Sequence, residues 1–309
     1  NITQQESSSN EPNTGDNNQF IIFNAVSDTI LKGISEMNIN NNHKLMFHHN
    51  QIRLFGIDLA KQGVKKYLDM LLRDQQARLE VPFAVVDGRA EDLLSVKLPS
   101  EPISGLFLGS MFEDLAKTSM QYKVRLIDFI NRILDEGAAP VMPIIKLTDA
   151  EEDKKEVIMT GMAVFNDDKM VGQLTLDEML GYIWSLGNVN TCHLEVSDEL
   201  GRSVLNIIDL GCKRKVTPLD DEKVEVNLSV DAVFTIGELQ GFSDMNNDEL
   251  IKHLDKLAQE HIKEIITNAF IAAKNLEADI FGFCTTIHQY YPKKWDKMKD
   301  HWNEIFVNI

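Results

Sequence analysis

The sequence lacks the features that mark membrane-spanning and disulfide-stabilised proteins. Its best apolar runs, residues 20–26 and 105–112, are far shorter than the roughly 18 apolar residues of a spanning helix. Its three cysteines, Cys192, Cys212 and Cys284, form no C-x-x-C pair and leave an odd count. This spacing argues against a zinc knuckle and a complete disulfide framework, so we expect three small residues in or near the core.

Basic residues are scarce relative to acidic ones. The chain has 31 Lys and Arg against 48 Asp and Glu, which gives a formal net charge of -17. Non-specific binding to nucleic acid depends on Lys and Arg replacing counterions on phosphates, so this charge argues against a nucleic-acid partner. It also weakens adsorption to an anionic lipid surface, so any membrane association needs a separate anchor.

Sequence signatures of catalysis and cofactor binding are absent as well. The chain has no G-x-S-x-G, H-E-x-x-H, Walker A or G-x-G-x-x-G motif. We therefore assign no catalytic, cofactor-binding or metal-binding residue, and we predict that the protein is not an enzyme. A fold can host catalysis without a known motif, so a hydrolase of unrecognised type stays open as a third alternative.

Length and pattern together predict an elongated, three-domain chain. Its 309 residues exceed the roughly 150 residues that one domain usually takes. The predicted class is α+β or mixed α/β, with mixed or antiparallel sheets and a long C-terminal helix. The predicted divisions are a disordered tail or loop over 1–18, an N-terminal α/β domain over 19–147, a middle domain of hairpin plus helix over 148–200, and a C-terminal domain over 201–309.

Two of these divisions depend on composition. Residues 1–18 are polar and have no apolar periodicity, so they cannot bury enough surface to offset the entropy lost on ordering. The charge-dense stretch 148–156 has no apolar residue larger than Ala and is typical of a linker or solvated turn.

Strand and helix patterns alternate in the first part of the chain. Strands are predicted over 20–23, 51–55 and 81–86, and helices over 28–37, from Asp58 as a cap, over 106–117 and over 125–134. A hairpin follows, with strands over 157–165 and 170–174 joined by the turn 166–169. This alternation indicates an α/β arrangement.

The sequence after the hairpin contains two helix-capping signals and one long alternating segment. Thr175 and Glu178 have capping-box spacing, so we interpret Glu178 as a helix cap. Residues 203–235 alternate apolar and polar side chains, which predicts a half-solvated antiparallel sheet. Asn246 with Glu249 then opens a helix of about 30 residues, about 45 Å long.

Three groups of side chains invite a functional interpretation, and each has a structural alternative. His43, His48 and His49 could suggest a metal, but adjacent His48 and His49 would face opposite sides of a strand, and we expect His49 to be buried. Asp167 and Asp168 could suggest acid-base chemistry, but a hairpin tip favours local turn hydrogen bonds.

The aromatic group near the C-terminus poses the same choice. Trp295, Trp302, Tyr290 and Tyr291 could form a partner interface, because exposed aromatic clusters are often interaction hot spots. Trp295 and Trp302 are seven residues apart on one helical face, which favours packing in the core.

Several motifs, in order, carry a family resemblance. Residues 162–172 combine a hydrophobic strand, an acidic turn and a Val-Gly pair, and Leu174, Glu178 and Gly187 follow them. The other matching segments are His49 with residues 52–56, residues 71–74, Arg78, the strand ending at Gly88, and residues 278–283, 287–288, 291–295 and 302–306. This order resembles the C subunit of the germinant receptors of endospore-forming bacteria, the GerAC type.

The resemblance implies a non-catalytic receptor subunit of three mixed α/β domains. It implies transmembrane A and B subunits as partners, and a lipid anchor on a Cys outside residues 1–309. The implied location is the spore inner membrane, with the folded part on its outer face. The resemblance implies no cofactor, and it does not identify the partner-binding residues. The alternative is a module that senses a nutrient directly, by binding a small molecule in an interdomain cleft.

Overall fold

The computed structural model describes residues 2–5, 20–39, 45, 47, 49–73, 78–96, 103–117, 124–150, 154–187, 189 and 191–309. Within these residues helices combine with a five-stranded mixed sheet and with antiparallel sheets of two and three strands. The longest helix lies in the C-terminal part. The predicted mixed class with a long C-terminal helix is therefore confirmed.

Strands and helices alternate in the first part of the chain. In order they are β1 (Ile2–Gln5), β2 (Phe20–Phe23), α1 (Ile30–Ile39), β3 (Arg53–Gly56), α2 (Ile57–Gln62), α3 (Lys65–Arg73), β4 (Phe83–Val86), α4 (Ala90–Ser95), α5 (Ser104–Lys117) and α6 (Leu126–Leu134).

Strand β1 corrects the prediction of a disordered start. It pairs antiparallel with β2, from Ile2 opposite Phe23 to Gln5 opposite Phe20. The predicted tail is wrong for residues 2–5, because a backbone ladder can hold a strand that has no apolar pattern of its own. Residues 6–18 of that prediction lie outside the described residues.

The helix predicted from Asp58 is in fact two helices. Its first part, α2, begins after Gly56, which has extended backbone and makes no side-chain cap, and Asp58 lies in its first turn. The helix is interrupted at Gly63, whose φ is +119°, a conformation that glycine adopts without strain. The cap predicted for Asp58 is therefore wrong, because the chain turns before that residue.

The second part of the chain begins with strands and ends with helices. In order the elements are β5 (Val141–Asp149), β6 (Lys155–Asn166), β7 (Lys169–Leu174), α7 (Leu176–Leu186), β8 (Cys192–Ser197), β9 (Gly201–Pro218), β10 (Val224–Gly241), α8 (Asn247–Asn275), α9 (Phe283–Tyr290), α10 (Pro292–Met298) and α11 (Trp302–Val307), with a 3-10 turn over Lys299–His301.

The five-stranded sheet has the order β3-β4-β5-β6-β7. Its first three strands are parallel and its last three are antiparallel, so β5 joins the two patterns. The sheet continues across the predicted division between residues 147 and 148, which falls near the end of β5. The predicted boundary therefore lies inside one sheet. It divides the chain into two sequence regions, an N-terminal region up to residue 147 and a C-terminal region from residue 148.

The three-stranded sheet has the order β10-β9-β8. Strands β9 and β10 pair antiparallel from Val224 opposite Pro218 to Gly241 opposite Gly201, with two register shifts. Buried or half-buried residues alternate with exposed ones along most of β10. The predicted half-solvated antiparallel sheet is confirmed.

Both predicted capping boxes are present. The Glu178 amide donates to Thr175 Oγ1 at 3.3 Å, and the Thr175 amide donates to Glu178 Oε2 at 2.8 Å. Asn246 Oδ1 accepts from the amides of Asp248 and Glu249, both at 3.1 Å, and opens the 29-residue helix α8. At 1.5 Å per residue, α8 is about 44 Å long.

The largest core connects the two sequence regions. It contains one face of the five-stranded sheet, the inner faces of β8 and β9, and the apolar sides of α7 and α8. A second cluster, on the other face of the sheet, gathers Val86, Leu93, Leu108, Phe112 and Ile145. The main core therefore extends from β3 to the C-terminal helices and packs the N-terminal and C-terminal parts of the chain together.

Candidate functional site

The N-terminal and C-terminal regions meet where α6 and the start of β5 face the segment after α8. The amide of Ala139 donates to the carbonyl of Asp279 at 3.0 Å. Nη1 of Arg132 donates to the carbonyl of Ile280 at 2.8 Å. These two bonds join parts of the chain that are more than a hundred residues apart, which makes this junction the candidate functional site.

Asp279 is the central polar group of the junction. Its side chain is fully buried and accepts hydrogen bonds from the amide of Gly282 at 2.8 Å, the amide of Cys284 at 2.9 Å and Nε1 of Trp302 at 3.2 Å. Burial raises the pKa of this carboxyl, and the amide of Cys284 and the positive charge of Arg132 oppose that rise. The Asp279 side chain thus joins α9 to α11, and the Asp279 carbonyl joins both to Ala139, just before β5.

Sequence reasoning missed Asp279 as a structural centre. The available signal was a single acid inside an apolar stretch, residues 278–283, followed three positions later by Gly282. Gly282 has left-handed backbone with φ +70° and directly precedes α9, so the Asp279 carboxylate reaches the orphan amides at the start of that helix.

The two C-terminal tryptophans pack above a glycine at this junction. Trp295 and Trp302 are 1 % exposed, and their rings meet edge to face with centroids 5.5 Å apart. A Cβ added at Gly137 would lie 2.8 Å from Trp302 and 2.9 Å from Trp295. The predicted core role of both tryptophans is confirmed, whereas Tyr290 and Tyr291 are 68 % and 39 % exposed.

A small cleft opens beside Asp279. Its volume is about 140 Å³, and its walls come from residues 135–139, 165–167, 277–279 and Asn303. Asp135, Glu136, Asp167 and Glu277 give it an acidic lining. Ligand pockets usually measure roughly 300–1,000 Å³, so this cleft is small for a nutrient molecule. A second cleft of about 210 Å³ lies between β3 and α4.

The predicted hairpin turn carries Asp167 and Asp168, as expected, but Asp168 bonds to a distant segment. Its Oδ2 accepts from the amide of Lys65 at 2.9 Å, and its carbonyl accepts from the amide of Val64 at 3.0 Å. The expectation of local turn bonds is thus wrong for Asp168, because the start of α3 presents free amides to it.

The histidine group has no common site in the described residues. His43 and His48 lie outside them, and His49 is exposed, so the expectation that His49 is buried is wrong: it lies in a turn ahead of β3 and not in a strand. Within the part of the chain that the structure describes, no group of three or more His, Cys, Asp or Glu side chains could hold a metal ion.

One further His and carboxylate pair lies away from the junction. Nε2 of His253 is 2.6 Å from Oδ2 of Asp198, and the His253 ring packs against Phe242 with centroids 5.8 Å apart. Asp198 also accepts from the amides of Leu200 and Gly201. The pair therefore fastens the start of α8 to the turn between β8 and β9.

The cysteines are free thiols. Cys192 and Cys284 are buried and Cys212 is half-buried, as expected for core and near-core residues. Burial raises the pKa of Cys192 to about 11 and raises the pKa of Cys284 as well. Because thiols react as thiolates, these two side chains are poor nucleophiles.

Helix length and apolarity bear on membrane insertion. Among the described residues, every helix is too short or too polar to cross a bilayer.

Comparison with known families matches both regions of the chain. Residues 1–147 match the family described as "Spore germination protein N-terminal domain", and residues 160–309 match "Spore germination B3/ GerAC like, C-terminal". The unmatched stretch between them covers the end of β5 and the start of β6.

Curated relatives are distant in sequence but align over most of the chain. Spore germination protein KC of Bacillus subtilis (strain 168) is 22 % identical, over 95 % of this chain and 76 % of its own length. Spore germination protein B3 of the same organism is 22 % identical, over 93 % of this chain and 77 % of its own length.

A solved structure supports the fold. The crystal structure of the GerBC protein aligns with 96 % of this chain and 87 % of its own, with a TM-score of 0.66 and 18 % sequence identity. At that identity the likeness shows a common fold. Because family matches cover both sequence regions, the chain belongs to the GerAC-type family of spore germination proteins.

Proposed function

We propose that this protein is the C subunit of a nutrient germinant receptor of bacterial spores, and that it assembles with membrane-embedded A and B subunits to trigger germination. The observation that carries the proposal is the match of both sequence regions to GerAC-type family models, together with the GerBC-like fold. Its place would be the spore inner membrane, with a lipid anchor on a Cys outside residues 1–309 and the folded part on the outer face.

The role is that of a non-catalytic protein. Two of the three thiols are buried with raised pKa values, and the most buried carboxylate, Asp279, is occupied by three donors. These groups hold the fold together and are not open to a substrate. Assembly with partner proteins, which needs surface and a rigid frame, suits such an arrangement better than chemistry does.

The experiment is a pull-down from mildly detergent-solubilised spore inner membrane. The tagged full-length lipoprotein is the bait, and the same protein without its lipid-bearing Cys is the control. We expect A and B subunits to co-elute in stoichiometric amounts with the anchored protein and in reduced amounts with the control. Intact, abundant bait without either membrane subunit would contradict the proposal.

A second candidate function is direct sensing of a nutrient in the cleft beside Asp279, which lies between the two sequence regions. The acidic lining would favour a ligand with an ammonium group, and the volume of about 140 Å³ would restrict its size. A ligand at 100 times its Kd stabilises a protein by about 2.7 kcal/mol, which a thermal melt detects. Unchanged melts with amino acids, sugars and nucleosides would eliminate this candidate.

A further inference from the structure

The tip of the β6–β7 hairpin is shaped to fit the break between α2 and α3. Gly63 occupies that break with φ +119°, and a Cβ there would lie 2.6 Å from Oδ2 of Asp168. Asp168 accepts from the amides of Val64 and Lys65, although it lies 103 residues from Lys65 in sequence. The interruption of the helix therefore makes room for a cap that a distant hairpin supplies.

An irregularity in the hairpin directs its tip toward that break. The register of β6 and β7 shifts between Val164 and Phe165, immediately before the turn. Such a bulge bends a strand and turns the residues that follow it. Phe165 itself is fully buried and packs edge to face on Phe129, with ring centroids 5.0 Å apart. The base of the hairpin is thus fixed in the core while its tip extends outward.

The same tip forms one wall of the cleft beside Asp279. Asn166 and Asp167 line the cleft together with the acidic residues Asp135, Glu136 and Glu277. Like charges gathered around one small cleft repel one another, so the acidic lining favours a wider cleft. One turn of chain therefore contacts both the start of α3 and the cleft.

Among the described residues, the polar contacts between the tip and α3 include one exposed ion pair and two hydrogen bonds. Lys65 Nζ lies 3.7 Å from Asp167 Oδ1, with side chains 67 % and 57 % exposed, and ion pairs of this kind contribute little. The two hydrogen bonds differ: the amide of Lys65 donates to the Asp168 side chain at an exposed position, whereas the amide of buried Val64 donates to the Asp168 carbonyl. Surface segments that are joined to a neighbouring element by few hydrogen bonds open far more often than the core unfolds.

We propose that the β6–β7 tip is a latch, docked in this structure, whose release frays the first turn of α3 and widens the cleft in one concerted opening. The latch links α2 and α3 in the N-terminal region to the junction at Asp279. This opening takes place within the chain itself and does not depend on assembly with the A and B subunits.

The test is native-state hydrogen exchange of the whole chain with Asp168→Ala, which removes the side-chain bond to the Lys65 amide and keeps the main-chain bond to the Val64 amide. We expect the amides of residues 64–68, 166–169 and 135–139 to exchange faster together, by about fivefold or more, since a lost N-cap changes a local equilibrium by about that factor. Asp168→Asn keeps a capping oxygen, so its exchange should stay near that of the natural chain.

Asn246→Ala is the matched control, because it removes an N-cap of the same chemistry from α8. Its effect should stay within the first turn of α8. If Asp168→Ala accelerates only residues 64–68, the residue is a local cap and the latch is refuted. If exchange rises equally along the chain, the change is global and the latch is likewise refuted.

Discussion

Nε1 of Trp302 donates a hydrogen bond to Oδ2 of Asp279 at 3.2 Å, and both side chains are buried. The same carboxylate accepts from the amides of Gly282 and Cys284. Three donors in the last part of the chain thus depend on one side chain. A buried donor without an acceptor costs about 1–3 kcal/mol, so the loss of this carboxylate affects both α9 and α11.

Asp279→Ala should therefore lower the free energy of unfolding by more than about 3 kcal/mol, because it leaves two buried donors and one half-buried donor unpaired. Urea denaturation followed by circular dichroism measures the change. Asp300→Ala, at an exposed position in the same region, is the control and should shift stability by less than about 0.5 kcal/mol. A loss below about 1 kcal/mol for Asp279→Ala would show that water replaces the carboxylate.

Stability should also depend on pH through Asp279. Burial raises its folded-state pKa above the ordinary value of 3.8, so between these two values the folded protein binds more protons than the unfolded chain. Stability from this group is then greatest below pH 3.8 and falls as pH rises toward the raised pKa. The stability difference between the natural chain and Asp279→Asn, measured by urea melts from pH 3.5 upward, should shrink with rising pH. A growing difference would mean that folding lowers this pKa.

Local signals in the sequence predicted the elements that local chemistry determines. Thr175 with Glu178 and Asn246 with Glu249 marked two helix starts correctly, because a capping box is complete within four residues. The alternation in β10 predicted its half-solvated sheet for the same reason, since side chains on a strand face opposite sides in turn.

The remaining features depend on partners that are distant in sequence. The helix breaks at Gly63 because Asp168 packs there, and Asp279 is important because Trp302 donates to it. Neither pair of residues produces a local sequence pattern. Continuity of the five-stranded sheet past residue 148 escaped prediction because a charge-dense turn resembles a linker, whether it joins two domains or two paired strands.

Gly137→Ala tests the packing of the tryptophans. The new Cβ would lie 2.8 Å from Trp302 and 2.9 Å from Trp295, and φ is +88°, so we expect a loss of about 2–4 kcal/mol from overpacking and backbone strain. Gly88→Ala is the matched control, because φ is +130° there but no atom lies within 4 Å. The loss of stability in Gly88→Ala, measured in the same urea titration, comes from backbone strain alone. Equal losses for both variants would mean that the tryptophans move aside.

The crossing of α7 and α8 depends on Gly181. A Cβ at that position would lie 2.2 Å from the carbonyl oxygen of Ile265, so Gly181→Ala should separate the helices and cost more than about 3 kcal/mol. Gly105, in the first turn of α5, has no atom within 4 Å of its Cβ position. Gly105→Ala should leave stability unchanged or raise it by up to about 1 kcal/mol, because Ala favours helices. A thermal melt that ranks the two variants in the opposite order would contradict the packing.

The three thiols should differ in reactivity in the folded protein. Burial raises the pKa of all three thiols, that of Cys192 to about 11, but Cys192 and Cys284 are buried whereas Cys212 is half-buried and the positive charge of Arg214 opposes the rise there. At pH 8 we expect a thiol reagent such as DTNB to label Cys212 first, and to label Cys192 and Cys284 at the rate of unfolding, because only an exposed thiolate attacks the reagent. Peptide mapping after timed quenching identifies the labelled residues, and the urea-unfolded chain, in which all three should react at once, provides the reference. Fast labelling of Cys284 would show that the junction at Asp279 opens without unfolding, because the amide of Cys284 donates to the Asp279 side chain.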